Sequence, residues 1–266
     1  MYALSRPLIV AGSFTFAAAL VAGCETNPVT GRSQVMIVSE DQAQSASAQA
    51  YAKTVSQARS QRKLDSDTAR TARVQQITSR LVAQAVRVVP ESASWKWQVH
   101  VLDDPNINAW CMPGGKMAVY TGLIEKLNPT DDELAQVMGH EISHALLQHG
   151  RERMSRAVAT NAALTLGSIA SGVNLSGLEN VAMVALELPN SRTAETEADR
   201  VGLEIAARAG YNPNAAVSLW QKMAKASGGG GAPEWLSTHP SDQTRIANLQ
   251  QLIPKVMPLY QAARRS

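Results

Sequence analysis

The spacing of apolar positions changes several times along this chain, and each change marks an element. Val74, Ile77, Leu81 and Ala85 recur at helical spacing and predict an amphipathic helix that stops before Pro90. Ahead of it, residues 45–72 are polar and alanine-rich with weak helical periodicity, and Ser39 with Gln42 forms a capping box that opens the first helix. From 95 to 102 the period falls to two. Trp95, Trp97, Val99 and Val101 then share one side and Lys96, Gln98 and His100 the other, which predicts a strand. Residues 108–120 read as two short strands broken at Pro113-Gly114-Gly115. Thr130 with Glu133 makes a second capping box, opening a helix that runs through Gln148 and stops at Gly150. Residues 191–209 form another helix ended by Gly210, and Asn212-Pro213 starts the next. A glycine-rich break at 228–231 precedes a final helix from about Gln243, interrupted near Pro254. The sum is an α+β fold, mainly helical, with one small sheet.

Two stretches raise the question of a membrane. Residues 157–178 carry no charge, yet Thr160, Asn161, Ser168, Ser171, Asn174 and three glycines make spanning costly, so a buried or loosely helical hairpin is expected. The N-terminus differs: Arg6 precedes an uncharged run from 8 to 22 that is short for a span and ends in Leu20-Val21-Ala22-Gly23-Cys24. That describes an export signal, and the cysteine after Val-Ala-Gly resembles the bacterial lipobox, in which the thiol is diacylated and becomes the mature N-terminus. A plain signal peptide with an incidental cysteine is the bland alternative. On the lipobox reading, 1–23 is the signal, 24–38 a polar tether and 39–266 a single domain anchored by two acyl chains at Cys24. Glu25, where inner-membrane lipoproteins carry Asp, favours the outer membrane, facing the periplasm. Cys111 is then the one remaining thiol, and no intrachain disulfide can form. A formal charge of +3 spread along the chain, with 45% hydrophobic residues, fits a protein with a real core and excludes a nucleic-acid partner.

Three of the five histidines lie between 140 and 149. His140-Glu141-Ile142-Ser143-His144 matches H-E-x-x-H on a capped helix, so both imidazoles leave one face and can meet at one metal ion. Glu141 sits to the side, placed to take a proton from water activated by zinc rather than to ligate. A catalytic zinc wants a third protein ligand and an open position. Glu195 could supply that ligand, and Asp199, one turn on, could accept the outer N–H of a ligating histidine. On spacing alone an ordinary solvated acidic face explains these residues equally well, and Glu197 is read as such a surface residue. His149, about 140° beyond His144 on a helix of ~3.6 residues per turn, should pack or hydrogen-bond rather than ligate. His100 gains no role.

With Ser191-Arg192 ahead of Glu195 and Asp199, these residues resemble the gluzincin metallopeptidase family of the HtpX, BepA and LoiP kind, whose relatives include mitochondrial inner-membrane and CAAX-prenyl proteases. Asn27-Pro28-Val29-Thr30-Gly31, Asn108-Ala109 with Pro113-Gly114-Gly115, and Thr238-His239-Pro240 with Arg245 extend the resemblance over most of the mature chain. It implies a gluzincin-type zinc metalloprotease domain with the small sheet beside the H-E-x-x-H helix. One zinc ion per chain is held by His140, His144 and Glu195, Glu141 is the general base, and Asp199 is an outer partner. Asn108 to Gly115 corresponds to an edge strand beside the cleft, able to pair with an extended substrate. His239 corresponds to a histidine that gates the metal from a mobile loop, or else polarises the substrate carbonyl. Arg245 steadies a carboxylate or the transition state, or is a surface arginine. The repeat domain of BepA and the membrane spans of HtpX have no counterpart here, which leaves the compact LoiP-like lipoproteins as the best match. The implied activity is endoproteolysis of unfolded or misassembled envelope proteins, with outer-membrane assembly machinery or related proteases as partners. A zinc-containing chaperone or assembly factor with a latent site is the competing expectation, and a solute-binding lipoprotein with a coincidental motif a third.

Overall fold

The computed structural model describes residues 23–164, 177–227, 234–239 and 243–265. Residues 1–22, where the export signal is expected, the glycine-rich break and Pro240 lie outside the described residues. So do residues 165–176, most of the uncharged stretch, whose ends are helical.

The chain opens with an antiparallel pair, β1 (Cys24–Thr26) and β2 (Ser33–Val35), followed by α1 (Glu40–Ser60) and α2 (Thr68–Val88). A 3-10 turn (Pro90–Ser94) leads into β3 (Gln98–Leu102), β4 (Ala109–Met112) and β5 (Lys116–Tyr120). Helices α3 (Thr121–Leu127), α4 (Asp131–Leu146), α5 (His149–Leu164), α6 (Leu178–Glu187) and α7 (Arg192–Arg208) follow. Beyond them lie α8 (Ala215–Ser227), α9 (Glu234–Thr238) and α10 (Gln243–Ala263). Mainly helical with two small sheets among the described residues, the molecule is α+β as expected, the β1–β2 pair being additional to the one sheet anticipated. Both capping boxes form: Thr130 Oγ1 accepts from the Glu133 N–H at 3.2 Å while Glu133 Oε2 accepts from the Thr130 N–H at 2.8 Å, and Ser39 pairs with Gln42 in the same way.

The three-stranded sheet has the order β3-β5-β4, with β3 and β5 parallel and β4 antiparallel to β5, so β4 is a terminal strand. Strand alternation splits its residues between two apolar clusters. Val99, Val101, Ala109, Cys111, Met117 and Val119 join α2, α4 and α7 in the larger core. Leu102, Trp110, Met112 and Ala118 join α1, α5 and α6 in the smaller one. Helix α4 is buried on every side from Glu133 to Leu146, which makes it the spine on which the other layers pack.

The closest helix pair is α4 with α7, and glycines make it possible. A Cβ at Gly202 would lie 2.8 Å from the His140 backbone nitrogen and 2.9 Å from the Gly139 carbonyl oxygen. The helices that carry H-E-x-x-H and Glu195 therefore touch backbone to backbone. Elsewhere in a helix Gly→Ala gains about 0.5–1 kcal/mol, whereas Gly202→Ala is expected to cost roughly 1–3 kcal/mol through overpacking. Urea unfolding checks this, and a stabilised variant would refute the close contact.

Three sequence expectations are corrected. The 24–38 segment is no loose tether: Asn27 Nδ2 and Gln34 Nε2 both donate to the Leu147 carbonyl at 3.0 Å, and Arg151 pairs with Glu25 at 2.7 Å. Asn27 and Gln34 are buried against these partners, while Glu25, Thr26 and Ser33 stay exposed. Helix α4 ends at Leu146 rather than Gln148, because Gln148 adopts φ +60° and the chain starts a new helix at His149. Gly150 is thus no helix stop but lies inside α5, where a Cβ would meet the Pro113 ring at 3.1 Å. Helix α10 passes through Pro254 and Pro258 without interruption, held by burial of Leu249, Ile253 and Val256 against the core.

Candidate metal centre and active site

Four buried side chains converge where α4, α7 and α9 meet. One ligand-capable atom from each of His140, His144, Glu195 and His239 lies within 4.8 Å of every other. The pairwise distances are 3.0 Å between the two histidine Nε2 atoms of α4, 3.4 Å from His140 Nε2 to Glu195 Oε2, and 3.4 Å from His144 Nε2 to Glu195 Oε1. Ligand atoms ~2.0–2.2 Å from a tetrahedral ion sit about 3.3–3.6 Å apart, close to this spacing.

The donor set fits a divalent cation. Both Glu195 carboxylate oxygens are buried without a hydrogen bond, a costly arrangement that a cation would resolve. Arg245 Nη1 lies 2.6 Å from Glu195 Oε2 as an ion pair, but off hydrogen-bond alignment. Burial opposes ionisation of Glu195, yet the charge of His239 and the adjoining rings of His140 and His144, each 3.4 Å away, hold its carboxyl far below the usual range. Burial and Arg245 likewise disfavour a charged His140, but Asp199 and Glu195 outweigh them and raise its pKa to about 9. The pocket attracts positive charge. Burial holds His144 well below the ordinary imidazole value, leaving its lone pair free.

Glu141 stays out of the cluster of four and accepts a hydrogen bond from Trp235 Nε1 at 2.7 Å, with His239 Nε2 at 3.4 Å from the same oxygen. Burial would raise its pKa, but the charge of His239 and their contact lower it, so it is held as the carboxylate. His239 is held by the stacked Trp235 ring, 4.5 Å between centroids, and by its backbone N–H donating to the Trp235 carbonyl at 2.9 Å. The site opens into a cleft of about 320 Å³ lined by Glu141, His144 and His239 together with Asn108, Ala109 and Trp110 of the terminal strand. Pro113, Gly114 and Gly115 turn the chain at its far end. Two more polar groups line this cleft with unused capacity: Arg153 Nη1 and Asn190 Oδ1 are buried and lack hydrogen-bond partners.

The outer partners divide into two sets. Asp199 lies 3.0 Å from His140 Nδ1, and its two oxygens accept from Arg245 Nε and Nη2 at 2.6 and 2.7 Å. Arg245 is buried, stacks over Trp220 at 4.1 Å and is no surface arginine. The second set was missed. His149 stays out of the ligand cluster, as expected, but its Nδ1 is 2.8 Å from His144 Nδ1 and its Nε2 is 3.0 Å from Glu197 Oε2. Glu197, expected to be a solvated surface residue, also pairs with Arg32 at 3.0 Å. Helical spacing cannot reveal this, because the break at Gln148 swings His149 back. His100, expected to be idle, is paired with Asp65 at 2.6 Å. Trp235 was also missed; no periodicity links a residue on α9 to Glu141.

A family model described as Peptidase family M48 matches residues 68–253. Among curated proteins, the chain is similar to bovine (Bos taurus) "Metalloendopeptidase OMA1, mitochondrial", 32% identical over 88% of this chain and 46% of that protein. It is 30% identical to "Metalloprotease YcaL" of Escherichia coli K12 over 59% of this chain and 61% of that protein. It is also 28% identical to "Beta-barrel assembly-enhancing protease" of E. coli O157:H7 over 69% and 40%. The chain spans about half the length of the mitochondrial relatives it matches.

Proposed function

The chain belongs to peptidase family M48, and from that premise we propose that it is a zinc-dependent endopeptidase acting on unfolded or misassembled envelope proteins. The observation that carries this reading is the convergence of His140, His144 and Glu195 with Glu141 beside them. In it, the two histidines and Glu195 hold zinc, with Asp199 fixing the ring of His140. Held there, zinc would supply Lewis acidity, which lowers the pKa of a bound water to ~7 and would polarise the scissile carbonyl. Glu141 accepts the proton of the attacking water and delivers it to the leaving amine. The terminal strand β4 supports capture of an extended peptide by backbone pairing. The spare donor of Arg153 and acceptor of Asn190 suit the carbonyl and N–H of a substrate backbone.

In this reading His239, the fourth member of the cluster, would stand where an attacking water is needed, and Trp235 and His239 both lie against Glu141. This favours a resting enzyme gated by His239, and it is also the observation behind the second reading, a chaperone or assembly factor whose peptidase site stays latent. An exposed Cys24 after Val-Ala-Gly suits lipid attachment and an outer-membrane position facing the periplasm. Among the described residues no helix is long and apolar enough to cross a membrane. Partners in outer-membrane assembly, or related proteases, belong to the same proposal. The test is casein digestion with added zinc. The protein is expected to cleave, to stop with a chelator and to recover with zinc. His239→Ala is expected to cleave severalfold faster with zinc still bound. A large loss of rate would instead make His239 a group that polarises the substrate carbonyl.

A further inference from the structure

The Asn27-Pro28-Val29-Thr30-Gly31-Arg32 turn has no part in the chemistry above, yet its Arg32 pairs with Glu197, which reaches the metal cluster through His149. We infer that Arg32, through Glu197 and His149, is a positioning residue for His144, so that the N-terminal strand pair completes the metal site. The inference rests on His144 being a metal ligand.

The connection is continuous. His144 Nδ1 meets His149 Nδ1 at 2.8 Å, His149 Nε2 meets Glu197 Oε2 at 3.0 Å, and Arg32 Nε donates to the two Glu197 oxygens at 3.1 and 3.0 Å. The other Arg32 nitrogens, Nη1 and Nη2, donate to Glu152 at 3.0 and 2.8 Å. His149 and Glu152 are buried, at 1% and 5% exposure.

A neutral imidazole has one N–H and one lone pair. Glu197 lies between Arg32 and His149 as the acceptor for both, which places the proton of His149 on Nε2. Its Nδ1 is then a lone pair, which requires the N–H of His144 on Nδ1 and leaves the His144 Nε2 lone pair facing Glu195 and His140. Running the protons the other way would set a lone pair of His149 against the carboxylate and a proton on His144 Nε2, blocking ligation. Glu197 therefore sets the direction of both rings, and Arg32 sets Glu197.

The turn is built to present this arginine. Asn27 Oδ1 accepts from the Val29 and Thr30 N–H groups at 3.0 and 3.2 Å, and Gly31 takes φ +72°. The Asn27 N–H donates to the Arg32 carbonyl at 2.8 Å, while its side chain holds the Leu147 carbonyl just beyond α4. The segment following Cys24 thus serves the metal site as well as joining it to the N-terminus.

The test compares full-length protein with Arg32→Gln, Arg32→Lys, Glu197→Gln and Glu195→Ala variants. Zinc dissociation constants come from competition with a chromophoric chelator, and cobalt-substituted samples report the ligand field. Loss of an outer partner of a metal-bound histidine costs about 10–100-fold in affinity. Glu197→Gln is expected in that range with a shifted cobalt spectrum, since a glutamine N–H₂ can donate to His149 and reverse both tautomers. Arg32→Gln is expected to lose about 10-fold, and Arg32→Lys to recover part of it. Variants that lower the melting temperature of metal-free protein but keep parental zinc affinity and cobalt spectrum would overturn the inference. Failure of the parent to bind zinc, or parental affinity in Glu195→Ala, would instead overturn the metal reading beneath it.

Discussion

Glu141→Gln protein is expected to bind one equivalent of zinc with parental affinity and to cleave casein about 10²–10⁴-fold more slowly, the range for losing a general base. Glutamine has the shape of glutamate and still accepts the Trp235 N–H, which now ends 2.7 Å from Glu141 Oε1. Packing around the buried position is therefore preserved and the change isolates proton transfer. Burial opposes the charge, but His239 outweighs it and keeps Glu141 an anion in the resting protein, and displacement of His239 would free that carboxylate to take up a proton. Initial rates at saturating zinc, beside metal content, are the measurement. An unchanged rate with zinc bound removes Glu141 from the mechanism and, with it, the hydrolytic assignment. A parent that protects casein from aggregation without cutting it, as does the variant, favours the chaperone reading.

Glu195→Ala is expected to weaken zinc binding by more than the roughly 10–100-fold that loss of an outer partner brings, and to abolish cleavage with it. The reason lies in burial. Both Glu195 oxygens are shut off from water without a hydrogen bond, so their solvation must come from cations. In metal-free protein that duty falls on Arg245 at 2.6 Å and on His140. Without Glu195 the His140 proton is held less firmly and the cluster loses its anionic member. His239 remains as a third nitrogen donor, so residual metal bound by three histidines is expected, and Glu195→Ala/His239→Ala should lose it. Metal analysis after dialysis against a weak chelator, with a casein assay alongside, decides the matter. Stoichiometric zinc at parental affinity in the single variant would place the ion elsewhere.

Much of this was legible in the residues because it depends on local periodicity. H-E-x-x-H puts two imidazoles on one helix face wherever a helix forms, and Thr130 with Glu133 ensures that one forms there. Alternation from Trp95 to Val101 marked a strand, though the pairing begins only at Gln98 because Trp95 still closes the preceding 3-10 turn, and the position of Asn108 to Gly115 beside the cleft followed from resemblance. Helical spacing likewise put Glu195 and Asp199 on one face, but it could not say what that face meets.

Tertiary structure decided that. Gly139 and Gly202 let α4 and α7 approach until Glu195 reaches two histidines some fifty residues earlier, and a glycine has no side chain with which to announce a contact. The left-handed turn at Gln148 returns His149 to His144, against the rotation an unbroken helix would give. Polar residues mislead in the same way: Glu197 reads as a solvated charge, yet it is paired with Arg32 inside the fold, and Arg245, left open by the sequence, is buried against Asp199. Sequence determines which groups can ionise, ligate or turn the chain. Whether a charge meets water or a partner depends on elements distant in sequence, because the cost of burying it is repaid only by contacts that folding creates.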